Sequence, residues 1–198
     1  LAYTDGFGNR VHMVTFDNFV GPVSIVAEGV VDVTDTAGVV KGLVCAAPDA
    51  VFLRQTRPTT ATASIRTLAE KQFAGRGVLE GLHGLMAEIH ARVAYEIGTT
   101  HAHTTAAEAF AEGRGVCQDH AHIFVAAARS AGIPARYVTG YLVTGMGASS
   151  TAAHAWAEAL VPDLGWVGFD PANAKSPTDN YVRVAAGLDA AGVAPIRG

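Results

Sequence analysis

The chain has 198 residues, 49% of them apolar and 16% charged, which is enough apolar content for one good core and excludes a disordered composition. Its net charge of −4 leaves no basic footprint, so nucleic acid is not an expected partner. No stretch approaches the roughly 18 consecutive apolar residues of a membrane span. The first residues carry no charged stretch leading into an apolar run, so no signal peptide is expected in them. Two cysteines, Cys45 and Cys117, fit a reducing compartment better than a disulfide framework, and a cytoplasmic location follows as an expectation.

Residues 1–57 read as strands and turns. Asp5-Gly6-Phe7-Gly8-Asn9 carries Asp-Gly and Gly-Asn turn signals. Residues 11–16 and 23–33 are rich in β-branched side chains, and the second run alternates apolar with polar or small residues, as a half-buried strand does. Cys45, within Leu43-Val44-Cys45-Ala46-Ala47, has no polar helper and reads as a small core residue. Nothing here carries chemistry. Pro58 disfavours helix in the residue before it, which sets a boundary between a β-rich segment, 1–57, and a core, 58–198.

Beyond that boundary helices dominate. Ser64 can cap a helix through Phe73 that ends at Gly75-Arg76-Gly77. A longer helix runs from about 78 to 97, with Leu82, Leu85, Met86, Ile89 and Val93 on one stripe and Gly98 as its stop. Gly81 and Gly84 weaken it by about 1 kcal/mol each relative to alanine, or admit a close neighbour. Thr104 or Thr105 caps a short helix to Glu112, and Glu108 is placed to reach back to Thr105. Gly113 and Gly115 then bracket a tight turn. The next helix runs from Val116 to about Ala131, packs through His120, Ile123, Phe124, Ala127, Ala128 and Ala131, and stops at Gly132 and Pro134.

The pattern then changes to strands. One covers 135–143, and a glycine-serine loop follows at 145–150. Residues 154–161 and 166–170 flank the turn Pro162-Asp163-Leu164-Gly165 and read as a hairpin. Alternation puts His154, Trp156 and Glu158 on one face of the first strand, and Trp166, Gly168 and Asp170 on one face of the second. His154 and Asp170 fall at the same end of the pair, where cross-strand Cβ atoms lie roughly 4.5–5.5 Å apart, so a His–Asp hydrogen bond is within easy reach. The remainder after Asn173 reads as loop and tail.

Taken singly, Cys117 reads as a buried helix cysteine, and His154 and Asp170 as structural residues. The glycine turn before the cysteine and the two later segments reverse that reading. A thiol in the first turn of a helix sits beside partly positive N–H groups that favour the thiolate. With His154 as base and Asp170 fixing its tautomer, Cys117 can attack a carbonyl carbon and form a thioester, resolved by water or by an amine. The Cys117 backbone N–H is the natural first oxyanion donor. The second is open among another backbone N–H, the Gln118 amide and a tyrosine.

Four segments carry a family resemblance: Gly115-Val116-Cys117-Gln118-Asp119, the helix end Arg129-Ser130-Ala131-Gly132-Ile133-Pro134 with Ala135-Arg136-Tyr137-Val138, His154-Ala155-Trp156, and Phe169-Asp170-Pro171. In that order they resemble the transglutaminase-like superfamily, nearest to its bacterial cysteine-protease-like members. The resemblance is dense over 104–173. It is weaker in the N-terminal strands, which look like the tail of the β-rich region that precedes the core in those proteins. It implies a papain-like α+β fold with helices packed on an antiparallel sheet. It also implies Cys117, His154 and Asp170 as catalytic triad, and thiol acyl chemistry on peptide or isopeptide amide bonds of a protein or peptide substrate. His120 departs from the family, which usually has an aromatic residue there. No acidic calcium loop is evident, and no cofactor is implied.

A metal site is not expected. On a helix His120 and His122 point about 200° apart, and His101 and His103 lack zinc-site spacing. Gly113-Arg114-Gly115 lacks the lysine and spacing of a phosphate loop. Trp156 and Trp166 read as core or cleft wall, and Asp119 and Arg136 as a structural ion pair or as caps. Two rival functions stay open: a catalytically silent binding or assembly domain on the same fold, and an acyltransferase drawing on a thioester donor such as a CoA ester.

Overall fold

The computed structural model describes residues 1–17, 20–144 and 153–197. It opens on a small antiparallel hairpin, β1 (Ala2–Thr4) and β2 (Arg10–His12), whose turn is held by the Asp5 carboxylate accepting the Phe7 and Asn9 N–H groups. The strand expected over 11–16 therefore ends at His12. The strand expected over 23–33 does not form. Its apolar side chains stand exposed, Val30 at 96% and Ile25 at 65%, because alternation buries one face only where a sheet lies beneath it. Cys45 is likewise not a core residue: it is partly exposed, with its thiol directed at the Gly6 carbonyl.

Helix α1 (Ala63–Phe73) is capped by the Thr62 side chain rather than by Ser64. Helix α2 (Val78–Arg92) buries Leu82, Leu85, Met86 and Ile89 as its stripe requires. Gly81 and Gly84 are where the first helix leans in: a Cβ on Gly81 would stand 2.2 Å from the Phe73 ring. Helix α2 ends five residues earlier than periodicity suggests. Val93 turns extended, and Ala94–Tyr95 becomes β3, drawn into parallel pairing with β4 (Arg114–Gly115). Between these strands lies α3 (Ala106–Glu112), with the reciprocal Thr105–Glu108 capping box. Two backbone hydrogen bonds, Ala94 N–H to Gly113 and Glu96 N–H to Gly115, outweigh local helix preference here.

Helix α4 (Cys117–Ser130) is the centre of the molecule. Every residue from Asp119 to Arg129 is buried. One side of it packs on α1, α2 and α3. The other lies on the antiparallel sheet β7-β6-β5-β8, formed by β5 (Ala135–Leu142), β6 (His154–Val161), β7 (Gly165–Phe169) and β8 (Tyr181–Gly187). The sheet face of the core comprises Ala157, Ala159, Val161, Val167 and Phe169, packed with Ile123, Phe124 and Ala127 of the helix. This is the α+β arrangement the sequence implies. Strand β8, expected as loop and tail, is the correction: it pairs with β5 from Tyr181 to Gly187, with one register shift between Thr139 and Gly140. The loop expected at 145–150 lies outside the described residues.

Both outer edges of the sheet receive contacts from earlier in the chain. Residues 38–40 hydrogen-bond to β7 through Val40 N–H to Trp166 and Gly168 N–H to Gly38. The Asn9 amide pairs in both directions with the backbone of Ala186 on β8. The β7 edge is thereby covered along 38–40, and the β8 edge is engaged at Ala186. On the face away from α4, Arg136 and Arg183 both grip Glu158, at 2.6 and 2.8 Å, and the Arg136 guanidinium also lies 4.0 Å over the Trp166 ring. Arg136 thus pairs with Glu158, not with Asp119. Burial by itself would raise the Glu158 pKa, but the Arg183 and Arg136 charges hold it below its ordinary value. Replacing Glu158 with Gln strands a buried guanidinium and is expected to lower stability by about 3–5 kcal/mol, measurable as a drop in the urea midpoint.

Candidate active site

The start of α4 is built by its neighbours. Gly113 takes a left-handed conformation (φ 68°), and β4 then carries the chain extended to Val116. The Asp119 carboxylate folds back to accept the Val116 N–H at 2.8 Å and the Thr100 hydroxyl at 2.6 Å, capping the helix and tying down the 99–100 loop. Gly115 permits this approach, because a Cβ there would stand 2.7 Å from the Asp119 side chain. Cys117, the first helical residue, is half-buried against Ala121, Tyr137, Ala155 and Val193.

The other half of the site comes from the sheet. His154 opens β6 opposite Gly140, and Asp170 follows β7. Gly140 is needed there, since a Cβ would strike the Val182 carbonyl and the Trp156 ring. His154 Nε2 and Asp170 Oδ2 are 2.7 Å apart, with the carboxylate fully buried. That bond uses Nε2 and leaves Nδ1 as the ring nitrogen open to Cys117, which is near enough to raise the imidazole pKa. The ring also stacks on Trp156, at 6.2 Å between centroids, and meets the edge of Tyr181 at 5.9 Å.

Asp170 is densely satisfied. Oδ2 accepts from His154, the Asn173 amide (2.7 Å) and the Tyr181 hydroxyl (2.7 Å), while Oδ1 accepts the Ala172 and Asn173 N–H groups. Burial would raise its pKa, but these donors, led by His154 and Asn173, and the imidazole charge hold it below the usual carboxylate value. Burial pulls the His154 pKa down. The hydrogen bonds to Asp170 and Cys117, with their charges, outweigh this and push it up to about 9.

The structure therefore brings Cys117, His154 and Asp170 into one constellation. The Gln118 amide reaches back to the Ala102 carbonyl at 3.4 Å. His120 is buried, its two ring nitrogens facing the carbonyls of Val116 and Val93 at 2.9 and 3.0 Å, so this departure from the family pattern links Val93, at the end of α2, to the start of α4. Three neighbours escaped the sequence reading. Tyr181 was hidden by the unrecognised strand β8, whose alternating Tyr-Val-Arg-Val opening was its only local signal. Asn173 sits in the tight loop closed by the Asp170–Lys175 bridge. Tyr95, opposite Gly115 in the β3–β4 pair, lies near Cys117 and Asp170. Burial, then the nearby Cys117 and Asp170, raise its pKa.

A half-buried thiol at a helix start, facing an imidazole–carboxylate pair on an antiparallel sheet, is the architecture of a papain-like thiol enzyme. The chain belongs to the transglutaminase-like superfamily, whose core model matches residues 66–171, over half its length. It is 33% identical to a crystal structure described as a "Putative Cysteine Protease" from Cytophaga hutchinsonii, with a TM-score of 0.63 over 72% of this chain and 48% of that one. Among curated proteins it is 41% identical over 110 residues to an uncharacterized protein of Mycobacterium leprae, covering 52% of this chain and 38% of the relative. It is 33% identical over 160 residues to an uncharacterized protein of Mycobacterium tuberculosis, covering 74% and 50%. The chain thus spans half the length, or less, of the curated relatives it matches.

The raised His154 value fixes a pH dependence. A folded pKa above the ordinary 6.5 means that the stability from its pairing is fully present below pH 6.5 and is lost as pH rises through about 9. The chemical-denaturation midpoint should fall between pH 7 and 10 in the wild type, and the fall should be much smaller in His154→Gln.

Proposed function

We propose that the chain is a thiol-dependent acyl enzyme acting on peptide or isopeptide amide bonds, with Cys117 as nucleophile, His154 as base and acid, and Asp170 as its orienting partner. The observation that carries this reading is the 2.7 Å His154–Asp170 bond made through Nε2, which leaves the second ring nitrogen for Cys117 nearby, at the start of α4. Nδ1 takes the thiol proton, and Sγ attacks the carbonyl carbon. The carbonyl electrons move onto oxygen, facing the Cys117 N–H, which as a first-turn amide has no intrahelical acceptor. The Tyr95 hydroxyl, near Cys117, serves as the second donor, the Gln118 amide being engaged by Ala102. Collapse breaks the C–N bond, the imidazolium gives its proton to the leaving amine, and a thioester remains on Cys117. Water or a second amine, deprotonated by His154, then attacks the thioester and regenerates the thiol.

Cys117→Ala is expected to abolish both turnover of a peptide amide and labelling at this position by iodoacetamide at neutral pH. Asp170→Asn should cut kcat at least roughly a hundredfold while the protein stays folded. Total labelling of the chain that is undiminished in Cys117→Ala, and so carried by Cys45, would contradict the reading, and labelling of Cys117 without turnover of any amide or thioester would favour a silent binding domain. A primary amine supplied in excess separates the two acceptors: a conjugate appears if the enzyme is a transferase, and only free acid if it is a hydrolase.

A further inference from the structure

Tyr181 places its hydroxyl 2.7 Å from the same Asp170 oxygen that His154 uses, and the Asn173 amide reaches that oxygen at 2.7 Å as well. We infer that Tyr181, assisted by Asn173, is a positioning residue that draws charge out of the Asp170 carboxylate and so keeps the His154 imidazolium acidic enough to give its proton to a leaving amine. This rests on the triad reading above.

A carboxylate oxygen offers about two lone-pair directions, so three donors on Oδ2 must share them. His154 therefore receives only part of what a bare buried carboxylate would give. The sharing is built in. Tyr181 is only 4% exposed, clamped edge-on to Trp156 at 5.4 Å between ring centroids, and it opens β8 where that strand pairs with Leu142 of β5. The Lys175 ammonium lies 5.6 Å over its ring. A fully buried carboxylate with a single imidazole partner would hold the imidazolium too firmly. It would favour the thiolate, yet supply a poor acid for amine release, and rapid acylation needs both roles from one ring. The groups acting on His154 are the Cys117 thiol from α4, Asp170 and Asn173 after β7, Tyr181 from β8, and Tyr95 from β3 through its coupling to Cys117 and Asp170. Of these, Tyr181 and Asn173 act on His154 chiefly through Asp170.

The test is an NMR titration of ring-labelled histidine in the full chain, comparing wild type with Tyr181→Phe and Asn173→Ala. Tyr181→Phe keeps the ring and removes only the hydroxyl. It should raise the His154 midpoint by roughly half a unit, the size of effect one hydrogen bond has on such a group, and Asn173→Ala should move it the same way. In parallel, kcat for amine release should fall, while Cys117 alkylation keeps its rate. An unchanged or lowered midpoint in both variants would overturn the inference and leave Tyr181 a packing residue. If Tyr181→Phe fails to fold, Asn173→Ala carries the same test. The midpoint is read without substrate, so it still reports on Tyr181 if Cys117 proves not to be the nucleophile.

Discussion

The register of one hairpin governs the site. Strand β6 meets β7 so that Ala157 faces Phe169, which leaves His154 and Asp170 at the same open end of the pair, close enough for a 2.7 Å bond. A slip of one residue would send every side chain to the other face, and the register is held on both faces. Ala157, Ala159 and Phe169 are locked against α4 on one, and Glu158 is held between two arginines on the other. The imidazole–carboxylate pair is therefore a by-product of core packing, and its precision is that of the core.

The thiol half is set by a different device. Cys117 owes its position to a helix whose start is fixed from three sides: the β3–β4 pairing, the Asp119 cap and the His120 bridge to Val93. Because α4 is buried almost throughout, its N-terminus cannot drift relative to the sheet it lies on. Two rigid bodies, helix and hairpin, thus meet at one point, and the chemistry proposed for that point needs no further element to assemble it.

Much of this was legible in the chain itself. Cys117 follows two glycines and precedes an apolar 3.6-residue repeat, and His154 and Asp170 flank a strong turn signal, so local patterns sufficed for both halves. What was not legible depended on distant partners. Strand β8 forms by pairing with β5, whose partner residues lie roughly forty to fifty positions earlier in sequence. Its misreading also concealed Tyr181, and with it the crowding of donors on Asp170. The end of α2 was misplaced for the same reason, since β4 recruits Ala94 and Tyr95 from downstream. The 23–33 run failed in the opposite sense: its strand pattern is strong, but it finds no partner strand among the described residues.

The account stands or falls on a covalent acyl intermediate at Cys117. Rapid mixing with an activated peptide ester, followed by acid quench and intact-mass and peptide-level mass spectrometry, measures it directly. The account predicts a mass increase equal to the acyl group, located on Cys117, absent in Cys117→Ala and slowed in His154→Gln. No adduct under turnover, or an adduct on Cys45 instead, would contradict it.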